Sequence, residues 1–150
     1  MPTKFRGTEQ ETLALDLFIK LARASEAVGD RVSRSLAGSE LTSTQFGVLE
    51  TLYHLGRLMP SQLAEKHLRS RNNLTVVIDK LEAQGLVVRE RCPSDRRAQW
   101  VSLTPLGRKK IERLLPVFVK EVVQDFSALE EAEQQELNRL LRKLGRGGNP

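Results

Sequence analysis

The stretch from Ser61 to Leu103 constrains the fold more than any other part of the chain. It reads SQLAEKHLRSRNNLTVVIDKLEAQGLVVRERCPSDRRAQWVSL. Leu63, Ala64 and Leu68 share the inward face of a short helix. A polar turn follows and ends at Ser70, whose hydroxyl suits a helix N-cap. Leu74, Val77, Ile78 and Leu81 then recur at helical spacing and define a buried stripe. That leaves Arg71, Asn72, Thr75, Val76 and Asp79 on the opposite side. Gly85 is placed to stop this second helix. Leu86 to Arg91 and Gln99 to Leu103 have the alternation of two paired strands. Cys92 to Ala98, polar and entered through Pro93, is the expected hairpin tip.

A short helix, a turn, an amphipathic helix and a basic hairpin, in that order, predict a winged helix-turn-helix. The fold class is mainly α, with a small antiparallel β-hairpin as the wing. Such a unit sets its second helix in a DNA major groove and extends the wing to a neighbouring minor groove. The expected DNA-binding unit covers about residues 42–103 of a single winged-helix domain spanning 1–150.

The flanking segments predict long helices. Leu13, Leu17, Leu21, Ala24, Val28 and Val32 draw one stripe along a helix from about Thr8 to Leu36. Leu15, Phe18, Ile19 and Ala22 widen it, which suits a helix that packs against its own core and a second subunit. Ala37-Gly38-Ser39 ends it. Thr42 with Gln45 forms a capping box, and Leu41 with Phe46 a hydrophobic staple, at the start of a second helix that Gly56 stops. Met59-Pro60 opens the third helix. Thr104-Pro105 opens a fifth, which runs through Ile111, Leu114, Leu115, Phe118, Val122 and Phe126, with Pro116 expected to kink it. A sixth runs from about Glu130 to Leu144, with Gly145 as its stop and a disordered tail beyond. Dimerisation helices are therefore expected at about 8–36 and 105–144.

A chain of 150 residues can bury a core without disulfides or metals. Its one cysteine, Cys92, has no internal partner, which points to the reducing cytoplasm. No apolar run is long enough to cross a bilayer, and MPTKFRGTEQ has no apolar signal region. The net charge is +5, and Ser61 to Arg113 alone carries twelve Lys or Arg against six Asp or Glu. The excess therefore belongs to the winged unit and the start of the next helix. A phosphate-facing surface has this footprint, although a solvated basic face would share it.

Base edges are read by short polar side chains and cations near a helix N-terminus. Arg71, Asn72, Asn73 and Thr75 meet that need, and Val76 can touch a thymine methyl. Lys80 suits a phosphate, as do Ser70 and the backbone donors beside it. In the wing, Arg96 or Arg97 can enter a narrow minor groove, where the negative potential is high, with Asp95 pairing an arginine to set its direction. Either element alone could be a solvated surface. Both on one structural unit are harder to dismiss.

His54, His67 and Cys92 lie on three elements and form no recognisable ligand set, so neither metal nor cofactor is expected. His54 is equally a surface residue and a residue bordering an effector pocket. No phosphate loop, nucleophile motif or metal triad is present, which argues against an enzyme. The competing class is a winged-helix module that binds a partner protein, and the salt dependence of DNA binding separates the two.

Several motifs resemble the multiple-antibiotic-resistance regulator (MarR) family of bacterial winged-helix transcription factors. These are Leu63-Ala64, the T-x-x-I-D-K-L-E-x-x-G-L-V of Thr75 to Val87, the D-x-R of Asp95 to Arg97, and V-S-L-T-x-x-G from Val101 to Gly107. One long helix before the unit and two after it also match. The resemblance implies a homodimer whose first, fifth and sixth helices intertwine, bound to a pseudo-palindromic operator, usually as a repressor. It also implies a small aromatic or phenolic effector that releases DNA. By it, Arg71 to Val76 read the major groove and Arg97 enters the minor groove. Val76 departs from the pattern, because many members carry a polar or basic residue there. Some members sense oxidants through a cysteine near the N-terminus, a region that here has none. A redox-responsive regulator would have to use Cys92, with Arg91 favouring its thiolate, and an incidental cysteine is the simpler expectation.

Overall fold

The computed structural model describes residues 4–67 and 71–147; the side chains of Arg71 and Asn72 are outside the described set. The elements follow the order α1 (Glu9–Ser33), α2 (Ser43–Leu55), α3 (Pro60–His67), α4 (Arg71–Ala83), β1 (Val87–Cys92), β2 (Asp95–Leu103), α5 (Pro105–Phe126) and α6 (Glu131–Gly145). Residues 33–119 form one compact unit, and the terminal residues 1–32 with 120–150 form another. The element order is the mainly α winged helix-turn-helix expected from the sequence.

In the central unit, Leu49, Leu63, Leu74, Ile78, Leu81, Val101 and Ile111 are fully buried. The stripe of α4 thus seats it on α2 and α3, as its periodicity predicts, with Val77 half-buried at the edge. The capping box of α2 is formed: Gln45 N donates to Thr42 Oγ1 at 3.2 Å, and Thr42 N donates to Gln45 Oε1 at 3.0 Å. Leu41 and Phe46 both enter the core. Leu58, between α2 and α3, exchanges two backbone hydrogen bonds with Val101, at 3.0 and 2.8 Å, adding a third short edge to the hairpin.

The start of α5 is held by close backbone approach. Thr104 Oγ1 accepts from Gly107 N at 3.0 Å and donates to the Gly85 carbonyl. A Cβ on Gly107 would stand 1.9 Å from the Leu86 carbonyl oxygen, so only glycine fits there. The T-x-x-G pattern is therefore a cap and a clearance in one turn.

Three boundaries differ from the sequence reading. The α-helix α1 stops at Ser33, and Arg34–Leu36 tighten into a 3₁₀ turn before Gly38 (φ +78°) redirects the chain. Helix α6 continues through Gly145, and the left-handed residue beyond it is Gly147 (φ +76°). The hairpin tip is only Pro93-Ser94, because β2 already begins at Asp95. Cys92 pairs with Asp95 and Arg91 with Gln99, so Arg96, Arg97 and Ala98 are extra residues that bulge out of β2.

In the terminal unit, Arg31 Nε pairs with Asp125 Oδ1 at 2.5 Å. Gln134 Nε2 donates to the carbonyls of Phe126 and Leu129, both at 3.0 Å, fastening α6 to the end of α5. Helix α5 is continuous through Pro116. No residue of α6 is buried.

Candidate nucleic-acid interface

Helix α4 turns a polar face outward because its apolar stripe is used in the core. Asn73, Thr75, Val76, Asp79 and Lys80 are all exposed on that face. Val76 stands 53 % exposed, so a branched apolar side chain is displayed among polar ones. Ser70 lies outside the described residues, as do the side chains of Arg71 and Asn72, while Arg71 and Asn72 form the first turn of the helix backbone.

The wing bulge is ordered by its own backbone. Asp95 Oδ1 accepts from Arg97 N at 2.9 Å, an Asx-type turn. Asp95 therefore shapes the bulge through a backbone donor, where the sequence suggested a side-chain pair with an arginine. Arg96 and Arg97 are exposed. Thr75 of α4 and Asp95, Arg97, Ala98 and Gln99 of the wing line one open cleft of about 360 Å³, together with Met59, Pro60 and Ser61. The outward face of α4 and the arginine bulge thus border the same space.

Sequence reasoning missed the tie between them. Arg89 shares the inward face of β1 with Val87, by strand alternation. Its guanidinium reaches Asp79 Oδ1 at 2.5 Å and Glu82 Oε1 at 3.0 Å, and its backbone N donates to Glu82 Oε2 at 3.2 Å. The side chain is only 19 % exposed. A fork spanning two carboxylates fixes orientation as a point charge cannot. Arg89 is therefore not free to meet phosphate, and Asp79 is a buttress for the wing. The available signal was two carboxylates at i, i+3 on α4, followed seven residues later by an arginine.

Other cations are also committed or displaced. Arg57 stacks over Trp100 at 5.1 Å, and Arg108 over Tyr53 at 5.5 Å. Lys109, Lys110 and Arg113 line a separate trough beside Gln84 and Leu86, past the last residue of α4. The basic footprint of the sequence is thus split between the two ends of α4.

Cys92 Sγ lies 3.1 Å from Ser94 Oγ. The Ser94 side-chain and backbone hydrogen bonds hold the thiol below its ordinary range, aided by Trp100 and the Asp95 backbone against some desolvation. Arg91, the cause suggested by the sequence, plays no part in that shift. His54 pairs with Glu50 at 3.3 Å on an exposed helix face. His67 Nε2 lies 3.1 Å from Thr51 Oγ1. A Cβ on Gly47 would approach His67 Cε1 to 3.0 Å, so the ring rests in a notch on α2.

A helix-turn-helix whose second helix shares its outer face with an arginine-bearing hairpin defines a winged-helix DNA-binding protein. The family model of the MarR family matches residues 41–98. The chain is 34% identical to the HTH-type transcriptional regulator YkoM of Bacillus subtilis (strain 168), over 91% of this chain and 89% of that one. Among solved structures, it resembles the MarR family regulator Sco3205 of Streptomyces coelicolor in complex with DNA. The TM-score is 0.82 at 30% identity, covering 97% of this chain and 95% of that chain. It also resembles BpsR of Bordetella bronchiseptica, whose DNA binding is regulated by 6-hydroxynicotinic acid. Here the TM-score is 0.80 at 30% identity, over 87% and 98% of the two chains. The chain belongs to the MarR family of DNA-binding transcriptional regulators.

Proposed function

We propose that this protein is a transcriptional repressor that binds a pseudo-palindromic operator as a homodimer in the cytoplasm. Each subunit sets α4 in a major groove, with Arg71, Asn72, Asn73, Thr75 and Val76 at the base edges and Ser70 and Lys80 on phosphate. Arg97, on the bulge set by Asp95, enters the adjacent minor groove, and Arg96 meets its phosphates. The observation that carries this reading is the single cleft bordered by Thr75 of α4 and Arg97 of the wing. Sco3205, solved in complex with DNA, resembles this chain over 95% of its own length.

The dimer rests on a second observation. Leu13, Leu17, Phe18 and Leu21 of α1, Val117, Val119 and Val123 of α5, and Leu140, Leu141 and Leu144 of α6 are between 41 % and 68 % exposed. Apolar stripes of that length are covered in a soluble protein, and a second copy brings the same stripes. Two-fold symmetry then spaces the half-site centres by about one helical turn of DNA, roughly 10 base pairs. An aromatic or phenolic effector that favours another separation of the two α4 helices lowers operator affinity by population shift. BpsR, which responds to 6-hydroxynicotinic acid, supports that class of ligand.

Selection from random DNA tests the reading directly. The expected product is an inverted repeat bound by two chains, with affinity falling steeply as salt rises. Enrichment of no sequence, with no binding at low salt, overturns it and favours a protein partner instead. Arg97→Ala is expected to weaken operator binding about tenfold, on the order of 1–2 kcal/mol, with the melting temperature unchanged.

A further inference from the structure

The buried stripe of α4 fixes which of its side chains stand furthest from the core. Leu74, Ile78 and Leu81 are fully buried. At about 100° per residue, Val76 lies roughly 170° round the helix from the middle of that stripe. Asn73, Thr75, Asp79 and Lys80 lie only about 90–135° round and flank it. Val76 therefore stands on the crest of the helix, and Ala83, exposed two turns further on, shares that line. Among the described residues, the most outward side chain in the first half of α4 is a valine that is 53 % exposed.

Valine does nothing useful at that place in the free protein. Its branched side chain lowers helix propensity, and its apolar surface faces water. It has no donor or acceptor to offer a phosphate or a polar base edge. Asn73, Thr75, Asp79 and Lys80 around it are polar and exposed. One valine among them is not the contiguous apolar patch that marks a protein-docking surface. On the floor of a major groove, the apolar group that meets such a side chain is the C5-methyl of thymine. 5-Methylcytosine carries the same methyl on the same carbon. Against unmethylated cytosine, adenine or guanine, valine would instead cover polar edge atoms without pairing them.

We propose that Val76 is a specificity-determining residue that selects a C5-methylated pyrimidine at one position of each half-site. This selection depends on the major-groove placement of α4 proposed above. Val76 packs on the methyl and takes its surface out of water. No hydrogen bond is involved, so the contact discriminates by the methyl alone. The methyl counts equally whether thymine or 5-methylcytosine carries it.

Uracil substitution tests this, because it removes the C5-methyl of thymine and nothing else. In an operator selected from random DNA, each thymine is replaced in turn and binding by the full chain is measured. At one thymine per half-site the replacement is expected to weaken binding about fourfold, ~0.8 kcal/mol, and about fifteenfold when both half-sites are changed. Val76→Ala, at an exposed helical position, should melt as the wild type does and bind the thymine and uracil forms within about twofold of each other. With that pair changed to cytosine and guanine, the wild type should bind 5-methylcytosine about fourfold more tightly than cytosine, and the variant should not. The proposal is overturned by uracil sensitivity that is equal in wild type and Val76→Ala at every thymine. Equal affinity of the wild type for cytosine and 5-methylcytosine overturns it too, as does an operator in which no thymine responds to uracil. Enrichment of no sequence at all would instead count against the function proposed above and remove this selection with it.

Discussion

The central unit and the terminal unit use apolar periodicity in opposite ways. In residues 33–119 the stripes of α2, α3 and α4 meet one another, and Leu49, Leu63, Leu74, Ile78 and Leu81 lose all contact with water. In the terminal unit the stripe of α1 is just as regular, yet Leu13, Leu17 and Phe18 remain more than half exposed. Helix α6 buries no residue. Periodicity therefore marks which face is meant to be covered and is silent on what covers it. The central unit covers its stripes within one chain, while those of the terminal unit stay exposed.

The sharpest way to break that contrast is at the centre. Gly107→Ala forces a Cβ against the Leu86 carbonyl oxygen, and neither backbone can yield without moving α5. The expected loss is about 3 kcal/mol or more, read as a lower denaturation midpoint, the size reserved for backbone or core disruption. A loss below 1 kcal/mol, on the same scale, would mean that the clearance is not needed.

A substitution on the bare stripe should act on assembly. Phe18→Ser is expected to raise the concentration at which the dimer forms by at least about tenfold, since burying a large apolar side chain contributes about 1.5–3 kcal/mol. Sedimentation equilibrium reads this, and near-ultraviolet dichroism of Trp100 in the central unit should be unchanged. If the mass distribution does not move, the stripe is covered by something other than a second copy.

Arg89→Ala sharpens the division within the central unit. It removes the fork to Asp79 and Glu82, so the wing loses its orientation toward α4 while its own arginines remain. Operator affinity should fall several-fold, with the salt dependence unaltered, because no phosphate contact is lost. A reduced salt slope would show that Arg89 itself meets phosphate.

The smallest effect is expected at the wing tip. Hydrogen bonding by Ser94 lowers the Cys92 pKa, so the thiolate is populated at lower pH than for an unhindered thiol. The rate of alkylation by iodoacetamide should therefore reach half its maximum below the usual thiol range, and Ser94→Ala should move that midpoint upward. No movement would remove Ser94 as the cause. Release of operator by peroxide in wild type but not in Cys92→Ser would promote this thiol to a sensor.

Much of the interface was legible because its signals are local. Thr42 with Gln45, Thr104-Pro105 and the α4 stripe are relations within a turn or two of one helix, and the structure forms each of them. Their spacing settles the element order and which face of α4 points outward. The wing was only partly legible. Its basic composition is plain in Asp95-Arg96-Arg97, but the bulge that displays these residues depends on strand register, which is a relation between two segments. Gly145, expected just past the end of α6, is instead its last helical residue.

The sequence alone determined a mainly α winged unit with a polar α4 face and a basic hairpin, because helix periodicity and capping are encoded by neighbours. Tertiary structure decided which charges are spent and which are available. Arg89 is consumed by Asp79 and Glu82, Asp95 by the Arg97 backbone, and Lys109, Lys110 and Arg113 are carried to the far end of α4. A charge acts through distance in space, and distance between segments remote in the chain exists only once the fold has brought them together.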